Sequence, residues 1–524
     1  MRRGKPLVVL GLDGATWNLL EPWMDKGALP HLRLLRDKGA YGVLRSVTPP
    51  VSCPAWKCYS TGKGPGKLGV YWWVDVDWRA RTISVHDSTS FQGREIWDYL
   101  SEEGFKCAVI NMPTTYPPKK VNGFLIASVL SPEGSEYTYP PELGESIEQA
   151  YGYKVRPTFH RKQKRRSVDN VKDMITRRFR LLSDTIASGS YDFMHLTIFY
   201  INVLQHFYWN DDLVREAWQT IDLQLGDLCQ HDCNIMIMSD HGSAKMEATF
   251  HINTWLQRQG YLSTKRSIGD LLAKSGLSRD GIKAALQKLG LADLVRRTVP
   301  QQLLRIIPEE GGLIEAVNLD LKLDWERSVA VGLGQGPIYL NRDVMGTDYD
   351  AFCDRLIRDL ESLRRPGTGH RLIGKVYRQQ ELYGAEARGR APDLLAVPAD
   401  GYHISGSLGG KVLDVDNEGW LAENHPHGIF VAHGQDIKPG LRVEGAQIVD
   451  LAPTVLHWMG LPVPEDTDGK VLKEIFQADS DAAQRPVRYF RGPEKESIPA
   501  APAGLSTEEQ EEVKERLRGL GYLE

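Results

Sequence analysis

Five short stretches of the chain carry side chains able to do chemistry. Asp13 and Gly14 follow an apolar run in GLDGATW; a carboxylate there can hold a cation or form an ordinary Asp-Gly turn. Ser52 stands in TPPVSCPAWKCYSTGKGPGKLGV, where the surrounding prolines restrict the backbone and hold the hydroxyl as a candidate nucleophile. A serine in that role needs a base or a cation to activate it. No Gly-x-Ser-x-Gly elbow surrounds it, which argues against a hydrolase triad, and GKGPGK lacks the spacing of a phosphate-binding loop. In INVLQHFYW, Asn202 and His206 are four apart and share a face if the segment is helical, as two ligands of one cation or as a polar pair in the core. In IMIMSDHGSA, Asp240 and His241 follow a strongly apolar run directly, a more specific ligand pattern. In ENHPHGIFVAHG, His425 and His427 precede another apolar run, and either can supply an imidazole. Carboxylates and imidazoles at separate strand ends can converge on two divalent cations.

The elements that must bring these residues together are legible as an alternation of strands and helices. Leu7–Leu12 (LVVLGL) is a continuous apolar run, as expected of a strand buried on both faces. Similar runs occur at Ala108–Asn111, Phe124–Val129, Phe193–Phe199, Ile235–Met238, Leu394–Val397 and Ile429–Ala432. Between Phe124–Val129 and Phe193–Phe199, residues 170–187 place Val171, Met174, Ile175, Phe179, Leu182 and Ile186 near a helical period. The alternation predicts an α/β fold, with a mostly parallel central sheet and helices on both faces. Sites in such sheets lie at the carboxyl ends of strands.

The predicted organisation is a catalytic core in two parts, 1–261 and 323–479. An irregular insertion falls at 131–168, a helical cap insertion at 262–322, and a linker with a C-terminal helical tail at 480–524. The tail opens with a capping box, Ser506 and Glu509, and its apolar side is Val513, Leu517 and Leu520. The basic run His160–Arg166 either attracts anionic substrates or is a solvated loop. Cys229, His231 and Cys233 form either a metal clip or a loop before a strand.

Composition narrows the function classes. The 524 residues hold 64 Lys and Arg against 68 Asp and Glu, a formal charge of −4. That balance argues against a binder of nucleic-acid duplexes or membrane surfaces. With 41% hydrophobic and 25% charged residues the chain is of globular composition. No apolar run reaches the roughly 20 residues of a membrane span. Six cysteines are sparse, and the short apolar run near the N-terminus reads as a strand rather than an export signal. Reduced thiols and a cytoplasmic location are the expectation.

Taken in order, LGLDGATW, PPVSCPAW with TGKGPGK, NVLQHFYW, SDHG, HPHGIF, DLAPTVLHWMGLPVPEDTDG and the terminal LRGLGYLE resemble the alkaline phosphatase superfamily. The branch is the type I phosphodiesterase/nucleotide pyrophosphatase family, in its prokaryotic phosphohydrolase/phosphomutase group. LDWERSVAVGLGQGPIYLN fits as well. The resemblance implies an alkaline-phosphatase-like fold and two divalent cations about 4 Å apart, zinc first, with manganese or magnesium as alternatives. It assigns Asp13, Asp240, His241 and the Ser52 hydroxyl to one cation, and Asn202, His206 and His425, or His427 in its place, to the other. It implies attack by Ser52 on the phosphorus of a small phosphate ester or diester. The family has Asp where this chain has Asn202, so the resemblance implies a weaker or missing second cation. Phosphomutase-like transfer and a non-catalytic anion-binding descendant are the alternatives. A sulfatase is disfavoured, because Cys53 and Pro54 do not form Cys-x-Pro-x-Arg.

Overall fold

The computed structural model describes residues 4–265, 319–345, 348–385, 387–408, 410–415, 419–491 and 504–523. Most of the predicted cap at 262–322, and the linker from 492 to 503, lie outside the described residues. Among the described residues the central sheet has nine strands. Across the sheet they run Leu441–Val443, Ala40–Arg45, His427–His433, Asn234–Met238, Leu7–Leu12, Phe193–Ile198, Cys107–Ile110, Gly123–Ile126 and Thr138–Tyr139.

The middle of this sheet is parallel. Leu7–Leu12 pairs in parallel with Phe193–Ile198 on one side and Asn234–Met238 on the other. All three strands are buried along their whole length, which is why they read as largely apolar runs. His427–His433 runs antiparallel to both of its neighbours. The run at Leu394–Pro398 belongs to a separate four-stranded antiparallel sheet. The LDWERSVAVGLGQGPIYLN segment supplies a hairpin to that second sheet, Ala330–Gly332 against Pro337–Leu340.

Helices cover the central sheet. Lys164–Ala187 buries Val171, Met174, Ile175, Phe179, Leu182 and Ile186, the six positions predicted from the periodicity. This helix starts inside the basic run, and 131–168 also holds a helix, Leu143–Tyr151. The basic side chains are spent locally. Lys164 pairs with Asp211, Arg165 with Asp169 and Glu216, and Arg161 donates to the carbonyls of Arg518 and Gly519. His231 of the Cys229–Cys233 stretch faces the Ser183 hydroxyl at 3.2 Å, in the loop before Asn234–Met238. Among the described residues, no helix is long and apolar enough to cross a membrane.

Candidate active site

Asp13 lies one residue past the strand Leu7–Leu12, and Asp240 and His241 lie just past Asn234–Met238. Because these strands are parallel neighbours, all three side chains arrive at one sheet edge. Each is fully buried, and their ligand atoms lie within 4.8 Å of one another. Ser52 opens the helix Ser52–Thr61, every residue of which is buried. Its Oγ is 3.0 Å from His241 Nε2 and 3.5 Å from Asp13 Oδ1. At that position the free N–H groups and positive end of the helix dipole face incoming negative charge.

The Ser52 helix is braced from below. Gly62, at its C-terminal end, accepts the Asp468 N–H through its carbonyl at 2.8 Å, while the Asp468 carboxylate takes Gly64 N–H at 2.7 Å. The GKGPGK stretch and the EDTDG stretch therefore form one structural clamp. Trp56, one turn into the helix, donates its indole N–H to Asp13 Oδ2 at 2.9 Å. Its ring fills the space beside Gly11, where a Cβ would stand only 2.3 Å from it.

Hydrogen-bond accounting separates the two halves of the site. His241 Nδ1 faces the Gly242 carbonyl at 2.8 Å, and a carbonyl only accepts, so Nδ1 carries the proton. The Nε2 lone pair then points between Asp240 Oδ2, at 3.2 Å, and Asp13 Oδ1, at 3.8 Å. Asp240 Oδ2 is buried with no hydrogen-bond donor. The single Ser52 hydroxyl proton cannot serve both His241 Nε2 and Asp13 Oδ1, and Asp240 Oδ2 has no donor, so three converging lone pairs with too few protons fit a divalent cation. Burial, then the neighbouring Asp240 charge, drives Asp13 well above the usual carboxylate range; burial also raises Asp240, against His241 and the Gly14 N–H. A cation would relieve both costs.

The other half is arranged differently. His206 Nδ1 donates to the Ala422 carbonyl at 2.8 Å, leaving Nε2 as an acceptor. Nε2 receives the Asn202 amide N–H at 3.0 Å. The same Nδ2 also lies 3.5 Å from Asn424 Oδ1, while Asn202 Oδ1 accepts from Ser243 at 3.0 Å. These neighbours fix the orientation of the amide. Burial holds His206 neutral, its pKa down at about 4, with the ring stacked on Trp420 at 4.1 Å.

His425 makes no hydrogen bond to Asn202 or His206, although it lies near enough to His241 for their charges to repel. In the strand Ala422–His425 successive side chains face opposite sides, and Asn424, paired with Ser243, faces Asn202. His425 is half-buried, its ring lies 4.9 Å from that of His427, and its Nδ1 accepts the His427 N–H at 3.3 Å. Glu423 is occupied as well. Its carboxylate accepts from Gln335, Trp420 and its neighbour's backbone N–H, and pairs with His403. The donors around Asn202 and His206 do not fit a second divalent cation, since no free anionic or lone-pair donor faces the position among the described residues.

Three residues that the sequence does not single out complete the site: Trp56, Asn424 and Tyr522. Tyr522, near the C-terminus, is buried, and its hydroxyl lies 3.4 Å from Asn202 Nδ2. Each stands inside a motif quoted above, Trp56 in PPVSCPAW, Asn424 in ENHPHGIFVAHG and Tyr522 in LRGLGYLE, but neither type nor spacing marks it there.

Known proteins were compared with this chain. The profile of the type I phosphodiesterase/nucleotide pyrophosphatase family matches residues 7–436. A search of curated proteins finds no match. Solved structures of similar fold include phosphonoacetate hydrolase from Sinorhizobium meliloti in complex with phosphonoformate, at 12% identity and TM-score 0.55, covering 86% of this chain and 94% of that one. Human ectonucleotide pyrophosphatase/phosphodiesterase 5 is similar at 14% identity and TM-score 0.54, over 90% of this chain and 100% of its own. An inactive murine form of the latter, in complex with AMP, aligns at 13% identity and TM-score 0.53, over 91% and 100%. With Asp13, Ser52, Asp240 and His241 gathered at the edge of this sheet, the chain belongs to the type I phosphodiesterase/nucleotide pyrophosphatase family and is a phosphoric ester hydrolase.

Proposed function

We propose that the chain hydrolyses a small phosphoric ester, a diester by preference, with Ser52 as the nucleophile and a divalent cation, zinc or a similar ion, held by Asp13, Asp240 and His241. The observation that carries the reading is the Ser52 hydroxyl 3.0 Å from His241 Nε2, at the rim of three converging lone pairs of which Asp240 Oδ2 has no donor. A cation bound there supplies positive charge that favours the ionised form of the serine and offsets charge on the phosphoryl oxygens.

The chain's own residues do the rest. Ser52 Oγ forms a bond to phosphorus as the bond to the leaving alkoxide or phosphate breaks, and its proton passes to solvent or to the leaving oxygen. The first turn of the Ser52 helix presents backbone N–H groups to the phosphoryl oxygens. Trp56 and Gly14 hold the two carboxylates in place through Asp13 Oδ2 and Asp240 Oδ1, at 2.9 and 3.2 Å. Water then attacks the phosphoserine, the Oγ–P bond breaks, and the serine takes back a proton. AMP and phosphonoformate, bound by the structural neighbours, are small phosphorus-containing anions of the class proposed here.

The test is turnover of bis(p-nitrophenyl) phosphate and p-nitrophenyl phosphate with zinc, manganese or magnesium. Ser52→Ala should lose at least about 100-fold in kcat while keeping its fold. Wild-type turnover in Ser52→Ala would end the reading. Product analysis should find phosphate transferred to water, not moved within the substrate.

A further inference from the structure

The half of the site around Asn202 carries a feature that a second cation does not explain. Asn424 is about nine-tenths buried, and its Nδ2 has no hydrogen-bond partner. Its orientation is fixed, because its Oδ1 faces the Asn202 amide N–H; turning the amide over would set two donors against each other. A buried N–H without an acceptor is costly, so the position lacks an acceptor, not a cation.

Beside it stands the Tyr522 hydroxyl. It accepts weakly from Asn202 Nδ2, at 3.4 Å, and keeps its own O–H as a donor. The C-terminal tail is built to deliver it. The helix Thr507–Gly519 buries Val513 and Leu517 and is pinned by Arg516, which donates to the carbonyls of Val129 and Ser131. Gly521 then turns the chain at φ +86°, with Trp420 so close that a Cβ would stand 2.3 Å from its ring. Tyr522 lands between Trp73, Phe199, Trp420 and the edge of the His206 ring.

Charge points the same way. An aspartate at 202 would set a third buried carboxylate beside Asp13 and Asp240 and would call for a second cation. The neutral amide of Asn202 instead adds no charge and closes the His206 lone pair.

We propose that this chain holds a single divalent cation, at Asp13, Asp240 and His241, and that the position enclosed by Asn202, His206, Asn424 and Tyr522 receives a phosphoryl oxygen through neutral N–H and O–H donors. This rests on the phosphoryl-hydrolase reading above and deepens it. The C-terminal tail thereby becomes a wall of the site, and Asn424 and Tyr522 become binding residues for the phosphate group.

The experiment counts cations and measures phosphate binding on the full-length protein. After removal of metal, equilibrium dialysis against zinc chloride with elemental analysis should give one zinc per chain. Asp240→Asn should abolish it, and Asn202→Asp should raise the count to two. Binding of inorganic phosphate to the zinc-loaded protein, by calorimetry, should weaken about 10-fold in Asn424→Ala and several-fold in Tyr522→Phe, with zinc affinity unchanged. Two zinc ions per wild-type chain would overturn the proposal, as would one that survives Asp240→Asn, or phosphate binding untouched by both variants. A count still at one in Asn202→Asp would equally overturn it. These results are independent of the Ser52→Ala assay: two zinc ions with an inactive Ser52→Ala would sink the neutral-donor site alone, and an active Ser52→Ala would sink the nucleophile alone.

Discussion

Trp56→Phe tests whether the cation centre is shaped by residues that never touch the cation. The indole N–H donates to Asp13 Oδ2 at 2.9 Å in a fully buried setting, one of three side-chain hydrogen bonds that favour the ionised carboxylate against burial and the Asp240 charge. A hydrogen bond to a charged group contributes about 1.5–3 kcal/mol. At 1.36 kcal/mol per decade that is about 10- to 150-fold in the proton affinity of Asp13. A cation needs the ionised form. Below the Asp13 titration the variant should therefore lose about 10- to 100-fold in zinc affinity, the range seen when partners behind a metal ligand are removed. As pH rises through that titration the carboxylate ionises in both proteins, and the gap should close. Isothermal titration of zinc at several pH values reads this directly. Phenylalanine also leaves part of the indole volume empty, so thermal stability is measured alongside. Lower stability with zinc affinity equal to wild type across the pH range would refute the reasoning and leave Trp56 a packing residue.

Other perturbations probe the scaffold and the charge balance. Glu95 is buried and accepts from Lys57 at 2.9 Å, Lys119 at 2.7 Å and Ser60 at 3.0 Å. Burial alone would raise its pKa, but the two lysines outweigh burial and hold it at about 2. Glu95→Gln strands the buried Lys57 charge behind the Ser52 helix and should cost about 3–5 kcal/mol in urea unfolding; an unchanged midpoint would contradict this. Since the folded pKa lies below the unfolded value, this contribution is present above about pH 4.3 and fades as pH falls toward about 2. Asp13 and Asp240 have the opposite sign. Their raised folded values mean that the metal-free protein binds more protons than its unfolded chain and loses stability as pH rises above the ordinary carboxylate range. The gain in melting temperature on adding zinc should consequently be larger at pH 8 than at pH 5, and an equal gain at both would count against the cation assignment. Gly521→Ala forces a Cβ into Trp420 at a positive φ and should cost about 1–3 kcal/mol, releasing the tail. Faster proteolysis at the C-terminus and a shifted tryptophan emission would report it; a tail as protected as wild type would not fit.

Much of the fold was legible because its central strands are buried on both faces. Leu7–Leu12, Phe193–Ile198 and Asn234–Met238 announce themselves as apolar runs, and the polar residues just beyond them are the site. The strand Ala40–Arg45 was missed because its burial alternates, with Val43 exposed, so no run appears. The run at Leu394–Pro398 was recognised as a strand, yet an apolar run does not say which sheet it enters, and this one enters the smaller antiparallel sheet.

The site divides along a chemical line. Asp13, Asp240 and His241 were legible because an ionisable residue at the end of a buried strand is expensive unless it has work to do, so type and place together are informative. Asn424 and Tyr522 carry no such mark. Asparagine is common in turns and caps, tyrosine in cores, and neither costs enough in burial to stand out. The choice between Asn424 and His425 is one of strand parity: a shift of one residue exchanges the faces. The parity is set by the pairing of Ser243 with Asn424, residues 181 positions apart in sequence. Tyr522 reaches Asn202 across 320 positions of chain. A charged ligand set is therefore readable from its own residues, whereas a neutral donor set exists only as a relation between elements.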